Sequence, residues 1–192
     1  MGNPCRVTGR SMRVIILCGL PGVGKLTVAN GLARLGDYRV FHNHLVFDAV
    51  EALFPFDSAT FGELRERLWL ELLTRAVRER VGNIIFTIAG DRALNASFLI
   101  SLASALSTFG VEVYWIELVC RVEDLEERIA SVDRSRFGKV NSVESFRQLH
   151  AAGAFPGLAL PPEAITVDTS GLSPEESVVA VNVEINKAKR AA

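Results

Sequence analysis

Three glycines and a lysine within residues 19–25, Gly-Leu-Pro-Gly-Val-Gly-Lys, are the residues of this chain best suited to chemistry. Glycines let the backbone wrap around an anion without Cβ clashes, so that successive N–H groups point inward. Lys25 would place a positive charge against the β- and γ-phosphates of a nucleotide. The spacing therefore predicts a phosphate-binding loop, whose nucleotide contacts are Gly19, Gly22, Val23, Gly24, Lys25, Leu26 and Thr27.

The position after the lysine departs from the usual pattern. In that pattern a Ser or Thr follows the lysine, and its hydroxyl ligates Mg²⁺. Here Leu26 follows, and Thr27 comes one place later. Because a shift of one residue on a helix turns a side chain by about 100°, Thr27 cannot simply replace the missing hydroxyl. We expect ATP or GTP together with Mg²⁺, but the sequence does not identify the protein ligands of the metal.

Two predicted elements hold the glycine loop in place. Residues 13–18 are a short apolar run that predicts a buried strand, and residues 26–35 carry apolar side chains at helical spacing. The first turn of such a helix offers unpaired N–H groups and the positive end of its dipole to an anion. The order of strand, glycine loop, lysine and helix is the context that this type of loop requires.

Strands and helices alternate along the rest of the chain. Further strands are predicted at 38–41, 83–88, 111–119 and 165–167. Helices are predicted from 45 to Pro55, from a Thr60/Glu63 capping box to Gly82, at 92–109, 122–130 and 142–151, and from Ser173 onward. This alternation is typical of a mostly parallel sheet covered by helices on both faces. Ligands of such sheets bind beyond the carboxyl ends of the strands.

The composition fits one soluble α/β domain. Of the 192 residues, 49% are hydrophobic and 22% are charged, and the net charge of −1 gives no electrostatic reason to expect binding to nucleic acid or a membrane. The three cysteines lack metal or redox spacing, which favours a cytoplasmic location. Residues 1–11 are expected to be a disordered or added leader, and residues 12–192 the domain. The sequence does not indicate an oligomeric state.

Three segments make the chain resemble the small-molecule kinases of the P-loop class, which share the fold of nucleoside-monophosphate kinases and include shikimate kinase and chloramphenicol phosphotransferase. They are residues 19–25, the basic segment 128–136 and residues 167–175. The resemblance covers roughly residues 12–187. It implies a three-layer fold with five parallel strands in the order 2-3-1-4-5, and a lid that closes over the nucleotide.

The resemblance also implies roles for several residues of the later loops. Residues 133–140 would form the lid, from which Arg134 or Arg136 would stabilise charge on the transferred phosphoryl group. Arg128 would contact the nucleotide, and Asp168 and Thr169 would line the adenine site. Judged without the resemblance, residues 133–139 could be only a solvated loop, and residues 168–172 could equally be an ordinary turn between a strand and a helix.

The phosphoryl acceptor is expected beside the loop after the second strand. Shikimate kinase carries Asp-x-Asp there, whereas this chain carries His42, Asn43 and His44. His44 or His42 could contact the acceptor with Asp48 as an orienting carboxylate, or Asp48 could itself be the general base. The histidines could also serve only in a helix cap. After the third strand, Asp91 could reach the site or cap the next helix.

Two functions follow from these residues. The first is a kinase that transfers the γ-phosphoryl group of ATP to an unidentified small-molecule acceptor. The alternative is an ATP- or GTP-binding module with little or no catalytic turnover. Leu26, and the lack of a carboxylate directly after the third strand, favour the alternative because both weaken the usual Mg²⁺ site.

Overall fold

The computed structural model describes residues 11–130 and 142–191. Within these residues the strands are β1 (Arg13–Cys18), β2 (Tyr38–His42), β3 (Asn83–Thr87), β4 (Glu112–Val119) and β5 (Ile165–Asp168). The helices are α1 (Lys25–Leu35), α2 (His44–Glu51), α3 (Ala59–Arg78), α4 (Phe98–Ser107), α5 (Val122–Ala130), α6 (Val143–Ala151) and α7 (Pro174–Ala191). The predicted lid, with Arg134 and Arg136, lies outside the described residues, as does nearly all of the predicted leader.

The strands form one parallel sheet in the order β2-β3-β1-β4-β5, which confirms the predicted topology. Leu17 of β1 pairs with Thr87 of β3 on one side and with Ile116 of β4 on the other. Because all five strands run the same way, the loops that follow them emerge at one edge of the sheet. That edge therefore brings together the glycine loop and the loops after β2, β3, β4 and β5.

Helices cover both faces of the sheet, so β1 is buried along nearly its whole length. Val14, Ile16 and Cys18 pack into a core formed with α2, α3 and α4. Ile15 and Leu17 point to the opposite face and pack with α1, α5, α6 and α7. This alternation follows from the two-residue period of a strand. It explains why β1 is continuously apolar from Val14 to Cys18.

The helix α3 begins at a different cap from the predicted one. Ser58, in extended conformation, accepts a hydrogen bond from the N–H of Phe61 at 3.1 Å, so the helix starts at Ala59. The predicted box of Thr60 and Glu63 was wrong because both residues already lie inside the helix. The Ser58 hydroxyl also donates to the carbonyl of Pro55 at 2.7 Å, which stabilises the turn that leads into the helix.

The helix α4 begins at Phe98, six residues later than predicted. Asp91 does not cap it, and instead accepts a hydrogen bond from the N–H of Ala93 at 3.0 Å. Asn95 accepts from the N–H of Ser97 at 2.9 Å. Short polar side chains that bond nearby backbone groups compete with helix formation. They hold residues 91–97 as turns.

The cap predicted for α7 is confirmed. The N–H of Glu176 donates to the Ser173 hydroxyl at 3.2 Å, and the Glu176 carboxylate accepts from the N–H of Ser173 at 2.9 Å. This reciprocal bonding of two N–H groups is a capping box. The bonds to Ser173 lower the pKa of the Glu176 carboxyl from its ordinary value.

In the part of the chain that the structure describes, no helix combines the length and the apolar character needed to cross a membrane. Cys18 and Cys120 are free thiols. Burial raises the pKa of the Cys18 thiol to about 12, so this side chain is neutral at physiological pH. Cys18 is thus a core residue, as its place at the end of a strand predicts.

Candidate phosphate-binding site

The glycine loop has a backbone that side chains would obstruct. Gly19 and Gly22 adopt positive φ angles of 136° and 99°, a region that favours glycine. A Cβ atom on Gly19 would collide with the carbonyl oxygen of Leu118. One on Gly22 would come within 2.9 Å of the Ile129 side chain. The loop therefore passes directly over β4 and α5, which explains the glycines at these two positions.

The loop leads straight into the first turn of α1. Gly24 occupies the N-cap position in a left-handed conformation, and no side chain caps the helix. The first turn contains no acidic residue, and its first internal bond runs from the N–H of Val28 to the carbonyl of Gly24 at 2.9 Å. The N–H groups of that turn, which have no partner in the helix itself, lie at the positive end of the helix dipole. This arrangement favours an anion.

The side chain of Lys25 folds back across the glycine loop. Its Nζ atom donates hydrogen bonds to the carbonyl oxygens of Gly19 and Leu20, each at 2.8 Å. The ammonium group is held against the loop itself. The lysine charge therefore lies beside the glycine loop and the first turn of α1.

Leu26 and Thr27 occupy the next two positions of α1. Leu26 is half-buried, whereas the side chain of Thr27 is exposed. The adjacent Val28 and Ala29 pack into the core beneath the sheet. The structure thus places no hydroxyl at the position after the lysine.

Arg128 of α5 connects the glycine loop to the loop after β5. Its guanidinium donates to the carbonyl of Val23 at 3.1 Å and to that of Leu172 at 3.3 Å. It also donates to the hydroxyl and the carbonyl of Thr169, at 3.0 and 2.6 Å. Arg128, predicted as a nucleotide contact, thus fastens together the two loops that would enclose the nucleotide.

The loop after β5 is ordered by its own side chains. Thr169 is fully buried, and its N–H donates to the carbonyl of Val119 at 2.8 Å. The Asp168 carboxylate accepts from the N–H and the hydroxyl of Ser170, at 2.8 and 2.6 Å. These bonds lower the pKa of Asp168 from its ordinary value. Asp168 and Thr169 therefore shape the loop through backbone contacts.

The end of β2 carries the histidines of the predicted acceptor site. His42 pairs in register with Thr87, which in turn pairs with Leu17 of β1. With neighbouring strands about 4.8 Å apart, His42 lies roughly 10 Å from the end of β1. Nδ1 of His44 lies 3.3 Å from a carboxylate oxygen of Asp48, and the two side chains are 17% and 48% exposed. The predicted pairing of His44 with Asp48 is thus present at this edge.

Asp91, after β3, pairs with an arginine that sequence reasoning missed. Its two carboxylate oxygens accept bonds from the guanidinium of Arg65 at 2.8 and 3.1 Å. Arg65 is completely buried, and its guanidinium carbon lies 5.1 Å from the ring centre of Phe61 and 4.9 Å from that of Trp69. The sequence did indicate that Arg65 is buried. It falls four residues after Phe61 and four before Trp69, which places it on the apolar face of α3.

The side chains around the glycine loop and the end of β3 do not fit the usual protein ligands of Mg²⁺. Leu26 stands where a hydroxyl would be, and both oxygens of Asp91 are bonded to Arg65. Nor do three or more His, Cys, Asp or Glu side chains from residues 11–130 and 142–191 gather where they could hold a metal. Among those residues, the position after Lys25 therefore has no hydroxyl, and the carboxylate that follows β3 is engaged by Arg65.

Proteins of known structure share this fold. The tunicamycin resistance protein of Deinococcus radiodurans superposes with a TM-score of 0.60 at 24% identity, over 92% of this chain and 96% of that chain. An APS kinase of Mycobacterium tuberculosis, in complex with AMPPNP and APS, gives a TM-score of 0.63 at 16% identity, over 93% and 99%. Shikimate kinase of Aquifex aeolicus gives 0.55 at 20% identity, over 94% and 100%.

No protein-family model and no curated protein sequence matches the chain. The structural likeness, together with the strand order, shows that the chain has the fold of the P-loop small-molecule kinases. The resemblance stated from the sequence is thereby confirmed at the level of the fold.

Proposed function

We propose that this protein is an ATP- or GTP-dependent kinase that transfers the γ-phosphoryl group to a hydroxyl or phosphate group of a small molecule. One observation carries the proposal: left-handed glycines lead into the start of α1, which no side chain caps, and Lys25 Nζ lies 2.8 Å from two carbonyl oxygens of the same loop. One protein that shares the fold, an APS kinase, was solved in complex with AMPPNP and APS.

The phosphate groups would be held by the N–H groups of the loop and by Lys25. Arg134 and Arg136, in the segment predicted as the lid, would stabilise charge on the transferred group. Asp168 and Thr169 would shape the site of the purine ring of the nucleotide. Arg128 is bonded to Thr169. The loops that carry Lys25, Asp168 and Thr169 emerge at the same edge of the sheet, which supports the part of this assignment that concerns the nucleotide.

The acceptor would lie at the end of β2, beside His44 and Asp48. An oxygen of the acceptor would form a bond to the γ-phosphorus while the bond to the oxygen that bridges the β- and γ-phosphates breaks. A hydroxyl proton would pass to Nε2 of His44, because Nδ1 faces Asp48 at 3.3 Å. Asp48, whose side chain is 48% exposed, would be the base in the alternative arrangement.

Turnover of ATP in the presence of candidate acceptors tests the kinase proposal. The protein is incubated with MgATP and a panel of sugars, polyols, nucleosides and small phosphate esters, and the ADP formed is measured by chromatography. We expect one class of acceptor to increase ADP formation strongly.

Replacing the loop lysine tests the site. For Lys25→Ala we expect kcat to fall by about 10²–10³-fold, as when an aligned donor is removed from a transferring group. Lys187→Ala is the matched control, since Lys187 is exposed on α7 and forms an ion pair with Glu184 one helical turn earlier. Undiminished turnover of Lys25→Ala would refute the role of the loop.

A second function, nucleotide binding with little or no turnover, is favoured by Leu26 and by the engagement of Asp91 with Arg65. Calorimetric titration of ATP, carried out beside the turnover assay, separates the two functions. Tight binding of ATP, with no acceptor increasing its consumption, would support the binding module. Binding that Lys25→Ala does not weaken would contradict both.

A further inference from the structure

The position after the loop lysine distinguishes this chain from loops that bind Mg²⁺ directly. We propose that residues 11–130 and 142–191 contribute no side-chain ligand to the Mg²⁺ that accompanies the nucleotide, so that the affinity for ADP is nearly independent of the metal. The inference rests on the proposed nucleotide site and concerns how that site recognises the phosphates.

The first turn of α1 cannot supply the hydroxyl oxygen that usually ligates Mg²⁺. Leu26 has only carbon atoms in its side chain, and Thr27 is turned about 100° away around the helix. The structure agrees with this rotation, since Leu26 is half-buried and Thr27 is exposed.

The end of β3 does not supply it either. Asp91 is the carboxylate nearest in sequence, but its two oxygens accept bonds from Arg65 at 2.8 and 3.1 Å. One of these oxygens also accepts from the N–H of Ala93 at 3.0 Å. A metal at Asp91 would therefore compete with a fully buried guanidinium for the carboxylate charge, and weakening a buried ion pair is unfavourable. Thr87, the last residue of β3, is 2% exposed, and its hydroxyl accepts from the N–H of Asn43 at 3.3 Å and donates to the side-chain oxygen of Asn43 at 3.4 Å.

The loop retains groups that bind phosphate without a metal. The N–H groups at the start of α1 lie at the positive end of its dipole, and Lys25 adds a full charge 2.8 Å from the loop carbonyls. Neutralisation of the phosphates by these groups does not require a metal ligand from the protein. Any Mg²⁺ would then be held by phosphate oxygens and water.

Linkage makes this inference measurable. The dissociation constant of ADP without metal, divided by that with metal, gives one ratio. By linkage it equals the affinity of the metal for protein-bound ADP divided by its affinity for free ADP. A protein that adds no ligand leaves that ratio close to one. A protein that adds a hydroxyl ligand raises it.

The experiment is calorimetric titration of ADP into the purified protein, with Mg²⁺ and with EDTA. We expect the two dissociation constants of the unaltered protein to agree within about threefold. For Leu26→Thr, which restores the hydroxyl, we expect binding with Mg²⁺ to become about tenfold or more tighter than binding in EDTA. Leu26→Val is the matched control, because Val has the shape of Thr but lacks the hydroxyl. In Leu26→Val, the dissociation constants of ADP in EDTA and with Mg²⁺ should remain nearly equal.

Titration of Mn²⁺ followed by electron paramagnetic resonance gives a second reading of the same quantity. In the unaltered protein, Mn²⁺ should bind protein-held ADP no more tightly than free ADP. Loss of ADP binding by about tenfold or more in EDTA would overturn the inference while leaving the proposed nucleotide site intact. Failure to bind ADP under either condition would overturn both.

Discussion

Arg128 shows how one residue can organise two loops. Its guanidinium meets the carbonyl oxygens of Val23, Thr169 and Leu172, which belong to segments 105 and about 40 residues away in the chain. A planar group with five donors is suited to this arrangement, whereas a lysine has a single ammonium centre. The resemblance implies that Arg128 contacts the nucleotide, and the structure adds its bonds to the loops on either side.

Replacing Arg128 should therefore loosen both loops. For Arg128→Met we expect a loss of about 2 kcal/mol in the free energy of unfolding, because charge-assisted hydrogen bonds to carbonyl groups disappear. We also expect faster hydrogen exchange in residues 169–172. Arg128→Lys should recover only part of the protection.

The control for this prediction is Arg147→Met, because Arg147 is 66% exposed and pairs with Glu126 on the surface. It should leave exchange in residues 169–172 unchanged. Equal protection of that loop in Arg128→Met and the unaltered protein would contradict the positioning role.

The start of α3 illustrates how caps act at the scale of an element. Ser58 satisfies one of the N–H groups that the first turn leaves without a helical partner, and it does so from an extended conformation. Thr60 and Glu63, further along the chain, have the spacing of a capping box but lie within the helix. The sequence is thus compatible with two starting points for α3. The helix uses the earlier one, where Ser58 is held by its bond to the carbonyl of Pro55.

Removing the cap should destabilise the protein more than removing the neighbouring threonine. We expect Ser58→Ala to lower the free energy of unfolding by about 1 kcal/mol, the usual cost of losing an N-cap. Thr60→Ala should be neutral or slightly stabilising, since alanine has the highest helix propensity. Urea denaturation measures both. A larger loss in Thr60→Ala would show that the helix starts where the sequence pattern suggests.

At the scale of the whole molecule, the pair of Arg65 and Asp91 joins the middle of α3 to the loop after β3. Arg65 is fully buried and Asp91 is 14% exposed, so the charges are largely removed from water. The rings of Phe61 and Trp69 flank the guanidinium. This pair fixes the loop after β3, which emerges at the same edge of the sheet as the glycine loop.

Breaking this pair should be costly. We expect Asp91→Ala to lower the free energy of unfolding by about 3–5 kcal/mol, because it leaves a buried cation without its partner. Arg65→Met combined with Asp91→Ala should be less destabilising than Asp91→Ala alone, since no buried charge remains. Urea denaturation measures both effects.

The control is Glu71→Ala, which removes an exposed ion pair with Arg75 on the same helix. It should cost less than about 1 kcal/mol. If Asp91→Ala is no more destabilising than Glu71→Ala, the pair does not hold the loop.

The sequence by itself determined the glycine loop, the alternation of strands and helices along the chain, and the parallel sheet. These follow from signals that are local in the chain: glycine and lysine spacing, apolar runs, helical periodicity and the Ser173 cap. They specify what each segment can form because backbone preferences and amphipathic faces depend on neighbouring residues.

Only the tertiary structure decided which distant groups become partners. Asp91 reads equally well as a helix cap or a site residue until Arg65, 26 residues earlier, is seen to bind both of its oxygens. Arg128 likewise finds its carbonyl partners only when the loops after β1 and β5 come together at one edge of the sheet. A residue type defines the bonds that a side chain can make, whereas packing determines which of them it makes.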